Sequence, residues 1–105
     1  MHLDLTRSGA ALGDAENFRE LDVRAAADLE DADVARQLNA LGADTTQPGH
    51  AWLPARVILD RGRADDPEWR AEFDAMLAYA DGAGWTRVDA DGQQLVRAHI
   101  VHAGR

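Results

Sequence analysis

Cysteine is missing from the 105-residue chain, which excludes disulfides, thiolate nucleophiles and cysteine-ligated metals. Lysine is missing as well: all 11 basic residues are Arg, so Schiff-base chemistry and lysine-dependent phosphate binding are excluded. The one serine, Ser8, has no G-x-S-x-G setting, and Ser8-Gly9 reads as turn chemistry. Long apolar runs are also absent; Val57-Ile58-Leu59 is the longest run of large aliphatic residues, far short of the ~20 apolar residues that a membrane span needs. Met1-His2-Leu3-Asp4 lacks the basic and apolar regions of a secretory signal, so a cytoplasmic location is expected.

Positive charge is scarce. A formal charge of -8 repels phosphate backbones, and no cluster of Arg interleaved with aromatics offsets it locally, so nucleic-acid binding is not expected. Arg in place of Lys, with abundant Ala, Asp and Gly, is what a GC-rich genome produces, and a bacterial source is expected. The length suits one domain spanning 1–105, in which about 65% of the extended-chain surface is buried without disulfide or metal.

What is present is a series of short periodic segments. His2 to Thr6 alternates as a strand, and Arg7 to Asn17, rich in Gly, Asp and Ala, reads as a loop. Phe18 to Ala25 reads as a strand with Leu21, Val23 and Ala25 on one face, its rival being a helix running into Ala26 and Ala27. Asp28 or Asp31 caps a helix carrying Val34, Leu38 and Leu41, which Gly42 stops. His50 to Leu53 reads as a strand. Pro54 to Arg61 reads as a short helix ended by Gly62, with Val57 to Leu59 as a buried strand the alternative.

The clearest element starts at Asp66-Pro67-Glu68, a capping Asp followed by Pro at the first helical position. Trp69, Phe73, Met76, Leu77 and Ala80 then form an apolar stripe that Gly82 and Gly84 terminate. Trp85 to Val88 and Gln94 to His102 flank Asp89-Ala90-Asp91-Gly92, a hairpin signal. The expected fold is α+β: a small, mainly antiparallel sheet with two main helices on one face. If Val57 to Leu59 were a strand, a ferredoxin-like β-α-β-β-α-β order would follow from Phe18 onward.

Catalytic and metal signals are sparse. His99 and His102 differ by an odd number and face opposite sides of a strand, and no HExxH or related spacing relates them to His2 or His50. Asp89-Ala90-Asp91-Gly92 resembles part of a calcium loop, but an EF-hand register with Gly92 sixth puts Arg87 first and Ala98 twelfth, so a plain turn is expected. Gly9 and Gly13 fit neither a dinucleotide nor a P-loop pattern. No cofactor and no metal are expected. Arg56, Arg61, Arg63 and Arg70 interleave with acids and read as a solvated, ion-paired face.

General acid-base work has its candidates in His50, Asp60, Asp89 and His99, which border apolar segments where burial shifts a pKa. Trp69 reads as core; Trp52 and Trp85 sit at element ends, where core packing is the favoured reading and lining a small apolar pocket or a dimer contact the alternative. Two functional expectations follow. The first is an interaction module, homodimeric through the Trp-bearing surface or a sheet edge. The second is a small-molecule binder or small enzyme with a His/carboxylate pair in a pocket between sheet and helices.

Overall fold

Alternation past Met1 builds the first strand, β1 (His2–Thr6): Leu3 and Leu5 are fully buried while His2 and Asp4 point to the opposite side. The computed structural model describes residues 1–104. Arg7 and Ser8 turn the chain into β2 (Gly9–Gly13), antiparallel to β1 with Thr6 opposite Gly9 and Leu3 opposite Leu12. Residues 7–17 are therefore not one loop, as their composition suggests. The small residues serve the hairpin: Gly9 has φ +126°, and a Cβ at Gly13 would lie 2.3 Å from His2 Cε1.

The strand expected over 18–25 is shorter, β3 (Asp22–Ala25), with Val23 and Ala25 buried. Phe18 to Leu21 stay outside the sheet. Helix α1 (Asp31–Ala40) is capped by Glu30 rather than Asp28 or Asp31; the Glu30 backbone N–H donates to the Asp33 carboxylate at 3.1 Å. Gly42 follows with φ +89°, a left-handed conformation that suits glycine at a helix end. Strand β4 (His50–Pro54) leads directly into α2 (Ala55–Arg61), so Val57 to Leu59 are helical. Asp66 caps α3 (Pro67–Gly82) by accepting from the Glu68 and Trp69 N–H groups. The chain ends in the expected hairpin of β5 (Thr86–Val88) and β6 (Gln94–His102).

The six strands form one sheet in the order β2-β1-β3-β6-β4, with β5 also paired to β6. The sheet is mixed, a correction to the mainly antiparallel expectation: β3 runs parallel to both β1 and β6, and the other pairings are antiparallel. Among the described residues there are three helices: α1 and α3, the two main ones expected, and the short α2. The ferredoxin-like order needs a strand at 57–59 and does not form; from β3 onward the order is β-α-β-α-α-β-β.

One apolar cluster joins helices to sheet. Val34 and Leu38 of α1, Val57 and Ile58 of α2, and Trp69, Phe73, Leu77 and Ala80 of α3 meet Leu3, Leu5, Val23, Leu53 and Val96. Each fully buried side chain of this size contributes roughly 1.5–3 kcal/mol of transfer free energy. Register places Leu3, Val23 and Ile100 in one row and Leu53 opposite Val96, so the helices cover one sheet face. The other face carries His50, Trp52, Arg97 and His99.

Candidate functional site

The sheet is split along one edge of β6. Strand β4 pairs with Leu95 to His99 on one side, so β5, which pairs with Gln94 to Val96, must lie on the other side. Strand β3 shares that side, pairing with His99 to His102. Strands β5 and β3 thus sit end to end, and the gap between them falls at Arg97 and Ala98. Among the described residues only the Trp85 carbonyl reaches in, accepting from the Arg97 N–H at 2.9 Å.

A cleft of about 520 Å³ opens at this gap, within the range of small-molecule sites. Its inner wall is apolar: Met76 and Ala80 from α3, Val96 from β6, and Phe18 and Leu21 from the segment before β3. Tyr79 and Trp85 stand at one side, with ring centroids 6.1 Å apart in an edge-to-face arrangement. The polar side is made by Arg19, Glu20, His50, Arg97 and His99. Arg97 and His99 are two apart on β6 and share a face, and register sets His50 directly opposite His99. Their imidazole centroids are 5.5 Å apart.

Local interactions hold this wall. Trp69 stacks on Phe73 at 5.2 Å, meets the Phe18 ring edge-on at 5.7 Å, and donates its indole N–H to the Ala15 carbonyl at 2.8 Å. The Met1 ammonium donates to the Asn17 and Glu20 carbonyls at 2.6 and 2.7 Å, and burial lowers its pKa. The segment bearing Phe18 to Leu21 is thereby fixed from two sides.

Of the acid-base candidates, the structure brings His50 and His99 together in the cleft and leaves Asp60 and Asp89 outside it. Asp89 organises the β5–β6 turn, its carboxylate accepting from the Asp91 and Gln93 N–H groups at 2.9 Å. Asp60 lies on the exposed side of α2. His50 Nδ1 lies 3.2 Å from the Pro48 carbonyl, and neither His50 nor His99 has an ion pair with a carboxylate among the described residues. Such pairs form elsewhere, at His2–Asp4 (2.8 Å) and His102–Asp31 (3.3 Å). The second borders a smaller cavity of about 260 Å³ between α1 and β6.

The two tryptophans at element ends part company. Trp85 lines the cleft and lies 5.6 Å from the Arg97 guanidinium, whereas Trp52 is covered by Arg87 at 4.5 Å and donates to Gln47 at 3.1 Å. Both guanidinium contacts are cation-π in kind. Among the described residues no group of three or more His, Asp or Glu is placed to hold a metal ion.

Arg19, Arg97, Phe18, Leu21 and Met76 are cleft residues that no sequence motif marks. They converge only because β3 and β5 share one edge of β6, a non-local pairing. No helix among the described residues is long and apolar enough to cross a membrane. No family model matches the chain, and no curated protein or solved structure is significantly similar to it.

Proposed function

We propose that this domain binds a small organic molecule in the cleft at the split of the sheet. The observation that carries this reading is the cleft itself: about 520 Å³, apolar on its inner wall and polar at its mouth, with side chains from five separate segments converging on it. Binding without chemistry is the better-supported form of the reading, because His50 and His99 lack the carboxylate partner that would orient a general base. The Arg-only basic set and the lack of cysteine favour a bacterial, cytoplasmic setting. A fragment titration followed by methyl NMR tests the proposal. Binding fragments should shift the Met76 and Val96 methyls first; shifts confined to other parts of the molecule would refute it.

A homodimer is the second reading, favoured by the exposure of Tyr79 (72%), Val88 (68%) and Trp85 (39%) around the end of α3 and β5. Sedimentation equilibrium at high micromolar concentration should then give twice the monomer mass, and a clean monomer would end that reading.

A further inference from the structure

The arginines are paired unequally. Arg7, Arg24, Arg36, Arg63, Arg70 and Arg87 each form an ion pair with a carboxylate. Arg56 and Arg61 make none but donate to carbonyls, and Arg56 also to Gln93. Among the described residues, Arg19 and Arg97 are the two whose guanidiniums have neither an ion pair nor a hydrogen bond, and both line the cleft. The chain's 19 carboxylates leave both of these cleft guanidiniums without an ion pair among the described residues. A guanidinium carries five N–H donors in a planar fork matched to an oxyanion. Glu20, the one carboxylate among the described lining residues, is exposed and ion-pairs with neither.

From this pairing we infer that the cleft's ligand is an organic anion, a carboxylate or phosphate carried on an apolar, planar body. The inference rests on the cleft being a ligand site. The oxyanion meets Arg97, with Arg19 and the His50 and His99 rings beside it, and the body lies against Trp85 and Met76. Arg97 is pre-positioned to receive it. Its backbone N–H is tied to the Trp85 carbonyl and its guanidinium packs on the Trp85 ring, so one face of the fork is fixed and its N–H edge is left for the ligand. The negative charge of the whole chain makes these two uncompensated cations the local exception that selects an anion.

The experiment compares 2-naphthoate, 2-naphthyl phosphate and the neutral 2-naphthalenemethanol by calorimetry on the intact protein. The expected result is that at least one anion binds roughly tenfold or more tightly than the alcohol, a ratio typical of one charge-assisted hydrogen-bonded contact. The tighter anion identifies the head group. Arg97→Gln should reduce the ratio to below about threefold, and Arg70→Gln, which lies on the far side of α3 paired with Asp74, should leave it in place. If Arg97→Gln does not fold, Arg19→Gln in the exposed segment reads the same ratio. Equal binding of alcohol and anions would overturn the inference while leaving the cleft as a site. Failure of all three to bind would overturn both.

Discussion

Replacing Trp69 with Phe probes the link between the core and the cleft wall. The indole N–H bonds the Ala15 carbonyl, and the Trp→Phe change leaves that carbonyl without its donor, a net cost of about 1 kcal/mol. The smaller ring also removes two buried carbons from a side chain packed between Phe18, Phe73 and Gly62. At roughly 0.8 kcal/mol per buried carbon this adds about 1.6 kcal/mol. The expected loss is thus about 2.5 kcal/mol, equivalent to a fall of roughly 10–20 °C in Tm for a chain near 100 residues. Urea denaturation followed by circular dichroism measures it, with an unchanged m-value showing that stability alone has altered. Because Phe18 and Ala15 belong to the segment that walls the cleft, the variant should also bind the naphthyl anion more weakly than the wild type under native conditions. A loss below about 0.5 kcal/mol with unchanged ligand affinity would refute the reasoning.

Other substitutions read other parts of the structure. A Cβ at Gly62 would lie 2.5 Å from Trp69 Cζ2 and Cη2, so Gly62→Ala should cost about 1–3 kcal/mol through overpacking, and a neutral result in chemical denaturation would contradict the packing of α2 against α3. Asp66→Ala should cost about 1 kcal/mol, the worth of the cap that Glu68 and Trp69 N–H groups find there, and the same denaturation series checks it. Hydrogen bonds from the Thr46 hydroxyl and backbone N–H, with Arg87 beside it, hold the Asp44 carboxyl below the ordinary aspartate value. A depressed carboxyl contributes stability above its unfolded-chain pKa and loses it as pH falls through the folded one. An NMR titration should therefore show Asp44 protonating below the usual range, and Thr46→Val should raise it; an unmoved midpoint would refute the assignment of cause.

Local signals in the sequence suffice where one segment contains its own explanation. The Asp66-Pro67 start of α3, its Trp69-Phe73-Leu77-Ala80 stripe and the Asp89 to Gly92 turn all depend on neighbours a few residues away, and all appear as expected. Strand β2 is hidden because its Gly-Ala-Ala-Leu-Gly composition resembles a loop, while the reason for Gly13 is the His2 ring across the hairpin. The parallel placement of β3 between β1 and β6 has no local signature, since Asp22 to Ala25 would alternate in the same way in an antiparallel pair. The cleft follows from that placement. His50 and His99 are legible as candidates from the apolar segments they border, but their adjacency is a matter of register between strands nearly fifty residues apart. Arg19 and Arg97 are not legible, because abundant acids make every arginine look paired until the pairs are seen.

The central claim is that the gap between β3 and β5 is a ligand site. A crystal structure of the protein soaked with millimolar 2-naphthoate tests it most directly. The account requires density for the naphthyl ring between Trp85 and Met76, with its carboxylate at Arg97. An empty cleft, or a ligand seated only elsewhere on the surface, would contradict it.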